Sequence, residues 1–220
     1  MNLELLDSMS IVIITMIAAY LLGSIPSAVW YGQAFFGIDI RDYGSGNAGA
    51  TNTFRVLGKK AGSVVMAIDI LKGWTATSLP YFLIFWNVIP SDDLILYQLL
   101  HGVASVFGHV FPIYANFKGG KGVATLFGMV LAIQLNVALL CVAIFILVVL
   151  LSKYISLGSM IGTLAFPILL MLPRYNPEEP ALIIFGFAMF AIVMLTHQKN
   201  IRRMLKGEES KTNIKIRKNR

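Results

Sequence analysis

Long apolar stretches recur from one end of the chain to the other and alternate with short polar segments. A helix needs about 20 mainly apolar residues to cross the hydrocarbon core of a bilayer. The stretches that approach this length are Ser10–Tyr31, Ser63–Trp86, Leu94–Tyr114, Val123–Leu135, Val137–Leu151, Leu157–Leu172 and Ala181–Thr196. This pattern predicts an all-α integral membrane protein with about seven transmembrane helices.

Turn signals separate most of these stretches. Gly37–Lys60 is rich in glycine and charge, Asn87–Asp93 contains Pro90, and Pro173–Pro180 contains three prolines. The region Val123–Leu151 has no such signal and could form one long helix or two short ones broken at Gln134 and Asn136.

Composition agrees with a membrane protein. Hydrophobic residues make up 57% of the 220 residues and charged residues only 13%, about half of the share in soluble domains. No segment is large enough to form a separate soluble domain. We therefore expect a single polytopic domain over residues 1–210, followed by a basic cytoplasmic tail at residues 211–220 that is attracted to anionic lipid headgroups.

The distribution of positive charge decides between one and two helices in Val123–Leu151. With seven helices and an outside N-terminus, all but one of the 18 basic residues face the cytoplasm, and only Arg174 lies outside. A single helix would place either the loop Arg41–Lys60 or the C-terminal tail on the wrong side. The positive-inside rule therefore predicts seven spans, with the N-terminus outside and the C-terminus cytoplasmic.

The first polar cluster runs from Arg41 to Arg55 and contains three glycines within six residues: Gly44, Gly46 and Gly49. Such glycines can turn successive backbone N–H groups inward as an anion-binding nest. Hydroxyl and amide donors are interspersed with them, at Ser45, Asn47, Thr51 and Asn52. Arg55 adds a planar guanidinium suited to phosphate. A flexible solvated loop has the same composition, so both interpretations stay open at this point.

The second polar cluster, Asn116–Thr125, leads straight into an apolar helix. Its glycines resemble a phosphate loop at a helix N-terminus, where the helix dipole favours anions: Gly119, Gly120 and Gly122. It is not a Walker A motif, because Ala115 and Gly122 stand where that motif requires glycine and Ser or Thr. Lys118 and Lys121 could serve only as a positive-inside anchor, but an anchor leaves the glycines unexplained.

The third polar cluster is His197–Arg203, at the inner end of the last apolar stretch. His197 and Asn200 are three residues apart and share one face of a helix. Asp69 and Lys72 have the same spacing within an apolar stretch, where charges are normally paired or functional. Either a supporting ion pair or a catalytic role accounts for them, and His109 is open to a structural hydrogen bond or a role in the site.

Three of these segments follow one another as in a known family. They are Gly44-Ser45-Gly46-Asn47-Ala48-Gly49-Ala50-Thr51-Asn52, Phe117-Lys118-Gly119-Gly120-Lys121-Gly122-Val123-Ala124-Thr125 and His197-x-x-Asn200. Together they closely resemble the PlsY-type acyl-phosphate:glycerol-3-phosphate acyltransferases of bacterial membranes, over nearly the whole chain. The resemblance implies transfer of a fatty acyl group from an acyl phosphate to the sn-1 hydroxyl of glycerol 3-phosphate, which gives lysophosphatidic acid and phosphate in phospholipid biosynthesis.

The resemblance also assigns residues to roles. The expected catalytic residues are Ser45, Asn47, Arg55 and His197. The expected substrate-binding residues are Gly44, Gly46, Gly49, Asn52, Gly119, Gly120, Lys121, Ser156 and Asn200. We expect Asp69, Lys72 and His109 to support the site. Proton removal from the acceptor hydroxyl falls to His197 or to a phosphate oxygen of the substrate, and we expect neither a cofactor nor a metal site.

The resemblance further implies a multi-pass protein of the bacterial cytoplasmic (inner) membrane whose active site faces the cytoplasm. The expected partners are the two substrates and membrane lipids, with functional coupling to the acyl-phosphate-forming enzyme and no nucleic acid. The alternative is an organophosphate transporter. Transporters usually place polar sites at the bilayer midplane between internal repeats, whereas the polar clusters of this chain gather at one end.

Overall fold

The computed structural model describes residues 3–176 and 179–212. The basic tail predicted at residues 211–220 therefore lies outside the described residues from position 213 onward. Two compact units make up the chain, Met1–Leu135 and Asn136–Arg220. The expectation of one domain over residues 1–210 stays a prediction.

The first unit is built from helices alone, within the described part of the chain. Their bounds are α1 Leu3–Gly23, α2 Ser27–Phe36, α3 Ala50–Val56, α4 Lys59–Ser78, α5 Pro80–Phe85, α6 Leu94–Val110 and α7 Val123–Ile133. Short 3₁₀ helices occur at Ile40–Asp42, Ser91–Asp93 and Ile113–Ala115. Helix α3 lies inside the segment Gly37–Lys60 that the glycine and charge content assigned to a loop, and only Leu57 and Gly58 separate it from α4.

The apolar stretch Ser10–Tyr31 forms two helices and not one. Helix α1 ends at Gly23 and α2 begins at Ser27, with a bend of 43° between them. Pro26 lies at the break, and proline has no N–H to continue the helical hydrogen bonds. In the same way α4 ends at Ser78 and α5 begins at Pro80.

Glycines allow close backbone contact between the helices of the first unit. A Cβ atom added at Gly73 or Gly128 would overlap backbone oxygens of the facing helix, in the contact of α4 with α7. The same holds for Gly23 and Gly108 in the contact of α1 with α6. Small residues at helix contacts are typical of membrane proteins, where close packing provides much of the association energy.

The second unit contains helices α8 Leu135–Ser152, α9 Ile155–Leu170, α10 Ala181–Thr196 and α11 Gln198–Leu205. The helix break in the region Val123–Leu151 falls at Gln134, whose backbone is not helical (φ −141°, ψ 75°). Gly158 packs against Val149 and Phe145, where an added Cβ would lie 2.5 Å from the Val149 side chain. Gly162, four residues further along α9, also faces Phe145 of α8, and two small residues at this spacing are typical of close helix packing in membranes.

Two helical segments of the described chain are long and apolar enough to cross a membrane, Ser91–Ala115 and Leu135–Ser152. Two bent pairs also qualify when each pair is taken as one span: α1 with α2, and α10 with α11. Helices α7 and α9 are shorter apolar helices. The number of seven crossings and their direction stay predictions.

Candidate active site

The first polar cluster is held in shape by Asn52, a buried residue of α3. Its Oδ1 atom accepts hydrogen bonds from the Ser45 backbone N–H, at 2.8 Å, and from the Ser45 hydroxyl, at 3.1 Å. Its Nδ2 atom donates to the carbonyl oxygens of Ile40 and Tyr43, both at 3.0 Å. An amide side chain has two donor hydrogens and two acceptor positions. All four are used here, so Asn52 fixes the turn that carries Ser45.

Position 44 requires glycine for two reasons. Its backbone lies in the left-handed region (φ +63°), which side chains disfavour. A Cβ atom at this position would also overlap the Oδ1 atom of Asn52. Gly46 has the same left-handed conformation (φ +71°). The two glycines thus allow the chain to turn back so that Ser45 meets Asn52.

The polar side chains of this cluster differ in exposure. Ser45 and Arg55 are exposed, whereas Asn47 is half-buried. The Asn47 Oδ1 atom lies against Gly49, where an added Cβ would be 2.9 Å away from it. Gly49 immediately precedes α3, and Arg55 lies in the last turn of that helix. One short segment therefore offers a hydroxyl, an amide and a guanidinium, which are groups that bind oxyanions.

Arg41 connects the first polar cluster with the segment before the second one. Its guanidinium forms an ion pair with Asp39, with 2.6 Å between Nη2 and Oδ2, and its Nη1 donates to the Ala115 carbonyl at 3.0 Å. The hydrogen bond from Arg41 holds the pKa of Asp39 below its ordinary value, and the same bond raises the pKa of Arg41. Both groups stay charged at neutral pH. A fork-shaped guanidinium can hold two partners at once, so Arg41 fixes the distance between the two loops.

The glycines of the second polar cluster pack against the end of α6. The N–H groups of Gly119 and Gly120 donate to the carbonyl oxygens of Val110 and His109, at 3.2 and 3.1 Å. A Cβ atom at Gly119 would overlap the His109 carbonyl oxygen. The two N–H groups are thus used within the loop, and the glycines bring half-buried Lys121 to the start of α7.

A buried polar group links helices α2, α4 and α6. The Oδ1 atom of fully buried Asp69 accepts a hydrogen bond from the Ser27 hydroxyl at 2.7 Å and pairs with the Lys72 ammonium at 2.9 Å. The His109 Nδ1 atom lies 3.5 Å from the same oxygen. Lys72 also donates to the Ile25 carbonyl at the break between α1 and α2, at 2.9 Å. A buried charge is tolerated when it is paired and hydrogen-bonded, and the Oδ1 atom of Asp69 meets that condition, whereas its buried Oδ2 atom has no hydrogen-bond partner among the described residues.

His109 extends this buried group to the second polar cluster. A Cβ atom at Gly120 would overlap the Nε2 edge of the imidazole, so the ring packs directly against the Gly120 backbone. The structure therefore brings together the three residues expected to support the site. The His109 ring thus lies between the ion pair and the loop before Lys121.

In the second unit, Ser156 and Asn200 meet at the carboxylate of Glu209. The Ser156 hydroxyl donates to Oε1 at 2.9 Å, and the Asn200 amide donates to the same oxygen at 2.6 Å. Arg203 donates from Nε to Oε2 at 2.7 Å. Ser156, Asn200 and Glu209 are all buried. Two residues that the family resemblance assigns to substrate binding are therefore held by one buried acid.

His197 ends α10 and is buried. Its Nδ1 atom lies 2.8 Å from the Val193 carbonyl oxygen, so we assign the ring hydrogen to Nδ1, which donates to that carbonyl. In a neutral imidazole the other nitrogen, Nε2, is then the proton acceptor. This tautomer is the one that a general base needs.

Glu209 is the site residue that sequence reasoning missed. Burial alone would raise the pKa of its carboxyl group, but hydrogen bonds from Asn200, Arg203 and Ser156 hold the pKa below its ordinary value. Gly207 ends α11 in the left-handed conformation and turns the chain back. The available signal was a pair of acids, Glu208 and Glu209, just after this helix-terminating glycine within an otherwise basic segment, and it does not tell which of the two is buried.

The predicted site residues thus form two groups, one in each unit. The first and second polar clusters, with Asp69, Lys72 and His109, belong to Met1–Leu135, and the third cluster with Ser156 belongs to Asn136–Arg220. Among the described residues, no group of three or more His, Cys, Asp or Glu side chains is placed to hold a metal ion. The side chains that are present are cations and neutral donors suited to phosphate and carbonyl oxygens.

Comparison with known proteins gives a consistent result. The sequence model of one family, described as glycerol-3-phosphate acyltransferase, matches residues 13–207. A glycerol-3-phosphate acyltransferase of Enterococcus faecalis is 44% identical over 94% of this chain and 94% of its own length. One of Chlorobium phaeobacteroides is 41% identical, over 90% of this chain and 95% of its own length.

Two solved structures share the fold. One is described as PlsY (YgiH), an integral membrane glycerol 3-phosphate acyltransferase in its glycerol 3-phosphate form. It is 35% identical over 92% of this chain and 96% of its own, with a TM-score of 0.77. The other is its lysophosphatidic acid form, with 33% identity, the same coverage of this chain, 95% of its own and a TM-score of 0.75.

Proposed function

Because the chain belongs to the glycerol-3-phosphate acyltransferase family, we propose that it transfers a fatty acyl group from an acyl phosphate to the sn-1 hydroxyl of glycerol 3-phosphate. The products are lysophosphatidic acid and inorganic phosphate. The observation that carries this proposal is the loop fixed by Asn52, which presents Ser45, Asn47 and Arg55 together as oxyanion-binding groups. The glycerol 3-phosphate and lysophosphatidic acid forms of the related structure support the acceptor and the product.

In the first unit, we assign the donor substrate to the two glycine-rich loops. Arg55 and Lys121 bind phosphate oxygens of the acyl phosphate. Asn47 donates a hydrogen bond to its head group, and the single hydroxyl proton of Ser45 turns from Asn52 to the head group when the substrate binds. Such donors stabilise the negative charge that develops on the carbonyl oxygen as the hydroxyl attacks. Asn52 and the glycines at positions 44, 46, 49, 119 and 120 act by shaping the loops.

In the second unit, we assign glycerol 3-phosphate to His197, Asn200 and Ser156. Glu209 holds the Ser156 hydroxyl and the Asn200 amide at one carboxylate, so both side chains have fixed positions before substrate arrives. Fixed polar groups lower the entropy loss of aligning a hydroxyl for attack. Glu209 is therefore a positioning residue for the acceptor.

The chemistry is direct acyl transfer. An acyl phosphate is already activated, so the sn-1 oxygen forms a bond to the acyl carbon while the bond from that carbon to the phosphate oxygen breaks. The hydroxyl proton moves to Nε2 of His197 or to an oxygen of the departing phosphate. Arg55 and Lys121 stabilise the phosphate dianion as it leaves. No cofactor takes part in this step.

We also propose where the enzyme works. It lies in the bacterial cytoplasmic membrane, with its glycine-rich loops on the cytoplasmic side, because the positive-inside rule places nearly all of its basic residues there. Membrane lipids surround it, and an acyl-phosphate-forming enzyme is its functional partner. The alternative of an organophosphate transporter is not favoured by the family to which the chain belongs.

A direct assay tests the proposal. Purified protein receives palmitoyl phosphate and glycerol 3-phosphate, and phosphate release and lysophosphatidic acid are followed together. We expect equal amounts of both products and no turnover with palmitoyl-CoA. Turnover with palmitoyl-CoA alone would contradict the proposed donor, and glycerol 3-phosphate uptake into vesicles without acylation would favour transport.

A His197→Ala variant distinguishes the two proton acceptors. If His197 is the base, we expect the maximal rate to fall by roughly 10²–10⁴-fold, the usual contribution of general base catalysis. A maximal rate that stays unchanged while KM for glycerol 3-phosphate rises would assign proton removal to the phosphate oxygen and leave His197 as a binding residue.

A further inference from the structure

The loop between α6 and α7 contains a bulky residue in an unfavourable backbone conformation. Phe117 has φ +57°, in the left-handed region, and Asn116 before it has φ +54°. Asparagine is several-fold enriched in this region, whereas a bulky residue there is an outlier. Glycine would adopt the same conformation without strain. The backbone conformation therefore does not explain why position 117 is phenylalanine, and the reason must lie in the side chain.

The backbone of the loop shows why position 117 must be left-handed. The Phe117 N–H donates to the Pro112 carbonyl at 2.9 Å, and the following Lys118 N–H donates to the Ala115 carbonyl at 3.2 Å. The chain then runs back along the end of α6, where Gly119 and Gly120 bond to its last carbonyls. Two successive left-handed residues close this reversal.

The side chain of Phe117 contributes little to the packing of the loop. It is 58% exposed, although Ala115, two residues earlier, is buried. Three more apolar side chains of the same loop are about half exposed: Phe111, Ile113 and Tyr114. The Tyr114 ring lies 5.9 Å from the ring of exposed Trp30 on α2. Exposed aromatic residues that cluster at one end of a membrane helix bundle are typical of the boundary between lipid and water.

Charge next to the ring indicates what it contacts. Lys118 follows Phe117 directly and is exposed, and Lys121 lies four residues further along the same loop. An apolar ring beside lysines matches an anionic amphiphile, whose chain contacts the ring and whose phosphate contacts the ammonium groups. Of the two substrates in the proposed function, only the acyl phosphate has both parts.

We propose that Phe117 is a binding residue for the fatty acyl chain of the donor and favours long chains over short ones. This inference rests on the proposed function. The left-handed backbone turns the ring outward from the loop, next to the glycines that position Lys121. A glycine at position 117 would remove the backbone strain, but it would also remove the contact between the ring and the fatty acyl chain of the substrate.

The test compares Phe117→Gly with the wild-type enzyme in lipid nanodiscs, using palmitoyl phosphate and octanoyl phosphate. Loss of an aromatic contact predicts a rise in KM for palmitoyl phosphate of about tenfold. We expect a much smaller rise for octanoyl phosphate and no change in KM for glycerol 3-phosphate. The melting temperature should be unchanged or higher, because glycine relieves the backbone. Phe117→Leu should restore the affinity for the long chain.

Asn116→Gly is the matched control, since it relieves the same backbone conformation without removing a ring. It should leave both donor KM values unchanged. An unchanged KM in Phe117→Gly, or an equal rise for both chain lengths, would overturn the proposal and indicate general contact with lipid.

Binding of palmitoyl phosphonate, a donor analogue that cannot react, separates this inference from the proposed reaction. Suppose that the wild-type protein shows no turnover but binds the phosphonate more tightly than Phe117→Gly does. This result would support the contact between Phe117 and the acyl chain and would contradict the proposed reaction. Wild-type protein that does not bind the phosphonate would overturn both.

Discussion

The Asn200 amide donates a hydrogen bond of 2.6 Å to the Oε1 atom of Glu209, nine positions further along the chain. The carboxylate also holds Ser156 and Arg203, so a single acid after the last described helix joins the residues of the second unit that we propose to bind the acceptor. A hydrogen bond to a charged partner contributes about 1.5–3 kcal/mol.

Removing this acid should damage both stability and activity. We expect Glu209→Ala to lower the melting temperature and to reduce kcat/KM for glycerol 3-phosphate, because the donors of Ser156 and Asn200 lose their common partner. Glu208→Ala is the control, since Glu208 is an exposed acid beside it. Activity that falls equally in both variants would show that only the charge of the segment matters.

The lowered pKa of Glu209 makes stability depend on pH in a definite direction. A group whose pKa is lower in the folded state stabilises that state above its ordinary pKa, which is 4.5 here. The contribution of Glu209 to the stability of the folded state should be complete at neutral pH. It should decrease below pH 4.5 and be lost once the pH is below the pKa that Glu209 has in the folded state. Melting temperatures of wild type and Glu209→Gln measured from pH 7 to pH 3 should therefore converge in acid. A difference that does not change with pH would contradict the argument.

Gly44 and Gly37 form a matched pair for testing the first loop. Both have left-handed backbones, at φ +63° and +67°. A Cβ atom at Gly44 would overlap Asn52, whereas nothing lies within 4 Å of one at Gly37. Gly37→Ala should cost only the backbone strain, about 1–2 kcal/mol. Gly44→Ala should cost more and should reduce donor turnover, as measured by phosphate release. Equal effects would show that the contact with Asn52 is unimportant.

Arg41 should be required as arginine and not simply as a cation. It holds the Asp39 carboxylate and the Ala115 carbonyl at the same time, and the ammonium of a lysine cannot reproduce this fork. We expect Arg41→Lys to raise KM for the acyl phosphate by about tenfold, because the two loops lose their fixed spacing. Asp42→Asn, at an exposed neighbouring acid, should have no such effect. Wild-type kinetics in Arg41→Lys would contradict this role.

The ion pair of Asp69 and Lys72 predicts strong coupling in a double-mutant cycle. Removal of one partner leaves a buried charge without compensation, at a cost of about 3–5 kcal/mol. Asp69→Asn and Lys72→Met should each lower the melting temperature strongly, and the double variant should be more stable than either. Additive losses would mean that the two residues act independently.

The sequence predicted those features that depend on local pattern. Apolar stretches became helices, and the bounds predicted for the last one, Ala181–Thr196, are confirmed. The pairing of Asp69 with Lys72 follows from a spacing of three residues and is observed at 2.9 Å. The family model confirms the family assignment as well. This assignment could be made from the sequence because the family's motifs are short and contiguous.

Features that depend on distant contacts could not be predicted. The apolar pattern continues through Pro26, so it gave no sign that α1 and α2 are separate helices. The role of Asn52 depends on hydrogen bonds that cross 7 to 12 positions of an irregular loop. The contact of Ser156 with Glu209 spans 53 positions, and no periodic pattern relates residues at that distance.

The hydrogen bond from Lys72 to Ile25 has a consequence for biosynthesis. The carbonyl group of Ile25, at the break between the first two helices, accepts from the Ser27 N–H at 3.0 Å and from Lys72, a residue translated 47 positions later. Pro26 and the Ser27 bond are present as soon as the first two helices have been made, so the bend itself needs no later segment. The bond from Lys72 can form only after α4 has been translated, so the attachment of α4 to this bend is a later step of biosynthesis than the bend.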